Sequence, residues 1–239
     1  MAGSVTVRVD PHVHSAASYD GRDPPELLLE QAAAVGLDAV VVTDHDRIDA
    51  SIRAAALAPD YGLVGIPGAE ISTAHGHLLG IGIEELPDPG RPLDETVRTV
   101  RDLGGVAVVP HPFQRTRHGA RRRVLDAVEI DGIETYNAWL FTGYRNLRAR
   151  AFARRNELTS LAGSDAHSVT TVGRAFTEME FEGRGGERIE ADDVVAAIRN
   201  GTTEVHGRRA PVHRCAGHYA KGAGRKAAWT ARAAAMALI

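Results

Sequence analysis

Short apolar runs alternate with longer amphipathic stretches from residue 5 to about residue 180, which confines the chain to β/α units built on a largely parallel sheet. Residues 5–9 form the first predicted strand. Pro24 and Pro25 open a helix that runs to Val35 and stops at Gly36, with proline in the first turn and glycine just past the last. Residues 39–43, 63–66, 77–83 and 106–109 follow as apolar, strand-like runs, with helices predicted over 49–58 and 93–103. Farther on, 132–136 and 159–162 read as strands and 144–156 and 194–200 as helices, the last closed by Gly201. No internal repeat interrupts the series.

A chain of 239 residues, 44% hydrophobic and 25% charged, buries a real core, and α/β barrels reach this size as one unit. A single domain is therefore expected over residues 1–205. The remaining 206–239 form a C-terminal extension whose Ala-rich stretch at 227–238 predicts a helix docked on the body or on a partner subunit. The formal net charge of −3 gives no global cationic field for nucleic acid or an anionic membrane. One cysteine, Cys215, excludes an intrachain disulfide framework and a thiolate metal cluster. With no long apolar run and no leader-like start, a cytoplasmic location is expected.

The histidines and acids fall at the ends of the predicted strands. Asp10, His12 and His14 follow the first, and the i, i+2 spacing of His12 and His14 turns two imidazoles to one side of an extended chain. Thr43, Asp44, His45 and Asp46 follow the second strand, Glu70 the third, His111 the run at 106–109, and Asp165 with His167 the run at 159–162. In a parallel barrel or sheet the C-terminal strand ends share one rim, where such folds place their sites. Each cluster alone has an ordinary explanation: a loop histidine pair, a helix cap at 43–46, a solvated Glu70, a turn at His111 and Pro112. Five strand ends that all carry His, Asp or Glu match what a multinuclear metal centre needs. Imidazole and carboxylate without sulfur suit Zn, Mn or Fe. Two such ions about 3.5–4 Å apart can acidify a shared water and neutralise phosphate oxygens.

Taken in order, Asp10-Pro-His12-Val-His14-Ser15, Ser18-Tyr-Asp20-Gly21, Thr43-Asp44-His45-Asp46, Gly68-Ala-Glu70, His111-Pro112 and Gly163-Ser164-Asp165-Ala-His167 resemble the motifs of the polymerase and histidinol phosphatase (PHP) family of metal-dependent phosphoesterases. The resemblance runs over about residues 5–177. It implies a distorted, TIM-like (β/α)7 barrel with two or three divalent ions at its C-terminal rim. By the same resemblance His12, His14, Glu70 and Asp165 hold the first ion. Glu70 bridges to a second ion also bound by His111, and Asp20, His45 and His167 hold a third. Where many members place another histidine or acid on the second ion, this chain has Asn137, a weaker amide donor. Glu134 is the alternative, but strand alternation aims Glu134 and Tyr136 to one side and Asn137 beyond the end. His77, in Gly76-His77-Leu78-Leu79-Gly80, also matches a family segment, as a hydrogen-bonding neighbour more than a ligand. His75 reads as a loop residue, and His118, His206, His213 and His218 as surface or structural.

The run Arg115, Arg117, Arg121, Arg122 and Arg123 begins beside His111, and guanidinium forks match phosphate oxygens, so Arg115 and Arg117 are the candidates for holding substrate phosphate. The function expected is hydrolysis of a phosphomonoester or phosphodiester by a metal-activated hydroxide, with His167 or a bound water assisting the leaving group. The substrate classes are a nucleotide, an oligonucleotide end or a small metabolite phosphate. Extended nucleic acid is less supported, because the chain is 5% aromatic and no aromatics alternate with the arginines. Two alternatives stand beside this one: a PHP module that keeps its metals without catalysis, and metal-dependent hydrolysis of a non-phosphate ester or amide.

Overall fold

The computed structural model describes residues 3–140, 143–184 and 188–209. The helix expected at 227–238 lies outside these residues, as do Cys215, His213 and His218. In chain order the first elements are β1 (Val5–Val13), α1 (Pro25–Ala34), β2 (Ala39–Val42), α2 (Asp49–Leu57), β3 (Gly68–Thr73), β4 (Gly76–Ile81) and α3 (Leu93–Asp102). They are followed by β5 (Val106–Val109), α4 (Arg122–Leu125), β6 (Gly132–Asn137), α5 (Tyr144–Arg155), β7 (Thr159–Gly163), β8 (Ala175–Phe181), α6 (Ala191–Asn200) and β9 (Glu204–Gly207).

These strands make two sheets, ordered β2-β1-β8-β9 and β3-β4-β5-β6-β7. The pairs β1/β2, β5/β6 and β6/β7 are parallel, as the alternation predicts; β1/β8, β3/β4, β4/β5 and β8/β9 are antiparallel. The fold is therefore mixed α/β, less uniformly parallel than the sequence pattern suggests. Isolated parallel bridges, His45 to Glu70 beyond the edge strands β2 and β3, and Val13 at the end of the inner strand β1 to Ala166, tie the two sheets together at the end where the histidines lie. At the opposite end one apolar core draws Val7 and Val9 from β1, Val41 from β2, Leu79 and Ile81 from β4, Val106 and Val108 from β5, and Leu161 from β7. The apolar face of α6 (Val194, Val195, Ala197, Ile198) closes over that core. Burial of this kind, worth about 25 cal/mol per Å² of apolar surface, holds the two sheets to one interior.

Most helices fall where the sequence puts them. α1 starts at the prolines and is followed by Gly36, whose φ of +78° is the left-handed conformation glycine adopts without strain. α3 buries Leu93, Val97 and Val100, one face at helical spacing. Three strand expectations change. Residues 63–66 contribute one bridge, Val64 to Ala39, and no strand. Glu70 does not follow a strand but sits inside β3, which forms a register-matched hairpin with β4. β8 and β9 were not expected at all. Among the described residues no helix is long and apolar enough to cross a membrane.

Candidate metal centre

β1 delivers His12, with His14 one residue past its end, and β3 delivers Glu70 opposite them; all three side chains are fully buried. Five imidazoles converge on the Glu70 carboxylate: His77 Nδ1 at 2.7 Å, His111 Nε2 at 3.0 Å, His12 and His14 Nε2 at 3.2 Å each, and His45 Nδ1 at 3.3 Å. His12 Nε2 and His14 Nε2 themselves lie 3.1 Å apart, and Asp165 Oδ1 is 3.7 and 3.5 Å from them. Two ring nitrogens do not approach this closely in a buried site unless a proton or a cation lies between their lone pairs.

A second group adjoins the first. Asp20 Oδ2 is 3.1 Å from His167 Nε2 and 3.3 Å from His45 Nε2, and its other oxygen accepts the Ser18 hydroxyl at 2.7 Å. Tyr19 stacks on His45 and Trp139 on His167. The loop holding Asp20 is braced by Asp44, which accepts the Ser15 amide at 2.7 Å and the Ser15 hydroxyl at 2.5 Å. His167 Nδ1 faces the Asp165 carbonyl oxygen at 2.7 Å, so both of its ring nitrogens are engaged within the cluster.

The backbone is held in uncommon conformations at two of these residues, His111 at φ +29° and Asp165 at φ +53°. Non-glycine residues adopt such values at a cost of about 1–3 kcal/mol, and they concentrate where function demands the geometry. Glu134 fixes the neighbourhood: Oε1 faces His12 Nδ1 at 2.8 Å, while Oε2 accepts the His111 amide at 2.8 Å and Asn137 Nδ2 at 2.9 Å. The space there is closed. A Cβ on Gly163 would stand 2.4 Å from Glu134 Oε1 and 2.7 Å from His12 Cβ.

Electrostatics follow from packing four acids and six imidazoles together. Burial alone would raise the Glu70 carboxyl, but His45, His77 and His12 hold it well below the usual carboxylate range. Burial of Asp165 is likewise outweighed by Arg117 and His12, and that of Asp20 by His167. Burial would lower His14, yet Asp165 and Glu70 lift it to about 10; at His45 and His111 burial wins and both are lowered. The cluster thus keeps Glu70, Asp165 and Asp20 ionised and calls for positive charge between them. Divalent ions suit that donor set, which offers several buried groups of three ligand atoms within 4.8 Å of one another.

The residues singled out by sequence therefore meet: His12, His14, Asp20, His45, Glu70, His111, Asn137, Asp165 and His167 share one buried cluster. Asn137 meets it as a donor, since its Nδ2 faces Glu134 and Asp165 (2.9 and 3.0 Å) while its oxygen accepts the Trp139 amide at 3.0 Å. Arg117, expected on substrate phosphate, instead makes a two-pronged ion pair with Asp165, its Nη2 2.9 Å from Oδ1. Arg115 does not reach the cluster and lines an open cleft with His118. The sequence reading missed Arg117's partner and gave Glu134 no firm role. It also left Asp10 unassigned, whose oxygens accept the Ser164 and Gly173 amides at 2.9 Å each and tie β1 to the chain after β7.

A mixed α/β fold that gathers imidazoles and carboxylates from several strands into one buried cluster is the architecture of a metal-binding scaffold. The chain belongs to the PHP family: the PHP domain matches over residues 10–171 and the PHP-associated family over residues 143–203. Over 150 residues it is 27% identical to MJ1587, an uncharacterized protein of Methanocaldococcus jannaschii, covering 59% of this chain and 87% of that one. A similar fold occurs in a two-domain protein from Bacteroides vulgatus containing a predicted PHP-like metal-dependent phosphoesterase. The TM-score is 0.70 at 20% identity, over 86% of this chain and 66% of that one. Endonuclease Q bound to a 27-mer duplex with an abasic lesion is also similar, with a TM-score of 0.57 at 16% identity, over 86% of this chain and 60% of that one.

Proposed function

We propose that the protein is a metal-dependent phosphoesterase that hydrolyses a phosphomonoester or phosphodiester. The 3.1 Å approach of His12 Nε2 to His14 Nε2, with Glu70 and Asp165 beside both, carries this reading. In it His12, His14, Glu70 and Asp165 hold one ion, Glu70 and His111 a second, and Asp20, His45 and His167 a third. Bound divalent ions would supply Lewis acidity to the phosphoryl oxygens and an acidified water. In the net reaction a water oxygen forms the new P–O bond, the ester P–O bond breaks and the released oxygen takes up a proton.

The chain's own residues prepare that chemistry. Glu134 accepts from His12 Nδ1 and so aims the Nε2 lone pair into the centre. Asn137 donates to Glu134 and Asp165 rather than offering an ion its oxygen. Arg117 balances the charge of Asp165, which leaves Arg115 as the remaining candidate for substrate. Neither His167 nitrogen is turned outward, so a leaving-group proton comes from elsewhere. The distorted (β/α)7 barrel is part of this reading, supported by the core that both sheets share and by the bridges at the rim. The catalytic unit expected at 1–205 is extended in it to Gly207, because β9 (Glu204–Gly207) pairs with β8 through His206 and Gly207.

Incubating metal-loaded protein with phosphate monoesters, phosphate diesters and amides tests the reaction class. Turnover of at least one phosphate ester is expected; turnover of amides alone, or of nothing with either Zn or Mn, would overturn it. Glu134→Gln tests the positioning role separately. Glutamine has one acceptor oxygen where Glu134 meets three donors, so one N–H must confront another. Metal affinity should fall about 10–100-fold by titration. Unchanged affinity would remove Glu134 from the support of His12.

A further inference from the structure

Residues 208–239 hold seven basic residues and no acidic one, whereas all 31 acidic residues of the chain precede them. Lys221 and Lys226, the only lysines in the sequence, both fall in this stretch. A net charge of −3 therefore conceals an acidic body joined to a cationic segment. Only Arg208 and Arg209 of that segment belong to the described residues.

The body leaves one sheet face bare. α1 and α2 pack on β2, α3 on β4 and β5, and α5 on β6 and β7, but among the described residues no helix packs along β8 or β9. An α/β architecture covers its sheets with helices. Along β8, Thr177 and Met179 are buried while Glu178 and Glu180 lie on the opposite, outer side, and Glu182 follows two residues on. Glu204 of β9 stands directly opposite Glu178 in the register, and Thr6 of β1 opposite Glu180. These four carboxylates and Thr6 line one surface. Like charges opposite one another on paired strands destabilise a sheet. Arg8 meets Glu178 at 3.0 Å and His206 Nε2 lies 3.4 Å from Glu204, but Glu180 and Glu182 make no ion pair with a described residue.

The cationic segment starts at this face. β9 leads into it, and the Arg208 amide donates to the Arg174 carbonyl at 2.7 Å, which continues the pairing of β8 with β9. Glu204 lies about 17 Å back along the strand from Arg209. The residues from 210 to 221 span up to about 40 Å when extended, so Lys221 can reach Glu204 and the row on β8 beyond it.

We propose that residues 210–239 fold back over the outer face of β8 and β9 of their own chain, with their Lys and Arg side chains on Glu178, Glu180, Glu182 and Glu204. The Ala-rich stretch at 227–238, predicted helical, then supplies the cover that this part of the sheet lacks. Charge complementarity, the bare face and the short return path all favour this placement over a partner subunit.

Carbodiimide coupling of the full-length protein tests the proposal, because it joins a carboxylate directly to a primary amine and only two lysines are present. Peptide mapping should place Lys221 or Lys226 on Glu178, Glu180, Glu182 or Glu204. In a mixture of isotopically labelled and unlabelled protein, each crosslink should join residues of one isotope only. Arg225→Glu, which keeps both lysines, should lower the coupling yield about two- to fivefold, the worth of one exposed charge pair. Crosslinks between the two isotopes would assign the face to a second copy and overturn the proposal. It is equally overturned by coupling to Glu85, Asp88 or Glu95, which line a separate surface beside α3, by the absence of any lysine crosslink, or by a yield that Arg225→Glu leaves unchanged.

Discussion

Glu70→Gln is expected to abolish hydrolysis and to remove more than one ion's worth of bound metal. One carboxylate lies within 2.7–3.3 Å of five imidazole nitrogens, and the proposed reading makes it the common edge of neighbouring sites rather than a member of one. Glutamine is nearly isosteric, but it replaces one acceptor oxygen by a donor and removes the negative charge that two cations would share. Because the side chain is fully buried, water cannot make good the loss. Metal content and activity should fall together. Retention of both would take Glu70 out of the centre, and loss of a single ion would make it an ordinary ligand.

Arg117→Ala should have its largest effect on the metal-free protein. Asp165 is fully buried and keeps its charge against desolvation chiefly through Arg117. Removing one partner of a buried ion pair costs about 3–5 kcal/mol, because the remaining charge stays buried and uncompensated. Divalent ions at Asp165 would supply the missing charge, so the loss should shrink when metal is bound. Denaturant unfolding with and without metal reads both numbers. Equal losses in the two states would mean that Asp165 and the ions do not meet, and no loss in either would mean that the Arg117 contact contributes nothing.

The parts of the fold that the sequence shows are those with a strong period. β2 and β5 are runs of small and β-branched apolar residues buried throughout, and α3 carries its apolar residues at helical spacing. β3, Gly-Ala-Glu-Ile-Ser-Thr, has one large apolar residue, and its extended state comes from six registered pairs with β4, which no local pattern reveals. β8 alternates buried Thr177 and Met179 with Glu178 and Glu180, and its place beside β1 is secured partly by the Arg8–Glu178 ion pair at 3.0 Å. Both are antiparallel, so a reading built on parallel β/α units has no place for them.

The candidate site was more legible than the fold, because ligand-type residues at strand ends keep their identity whichever way the strands pair. Where the sequence reading fell short, the cause lies in backbone irregularity. Strict alternation sends Glu134 and Tyr136 to one side, yet the register of β6 against β7 shifts between them. That irregularity lets Glu134 and Asn137 both turn inward while Tyr136 stays partly exposed. The Arg117 contact was hidden for a different reason: it spans 48 residues and depends on the path of the loop after β5.

Counting metal ions on the purified protein, after saturation with Zn and separately with Mn, tests the central claim most directly. Eight His, Asp and Glu ligand candidates gathered in one buried cluster are more than the roughly four to six a single ion uses, so two or three ions per chain are expected. One ion or none, with either metal, would contradict the account.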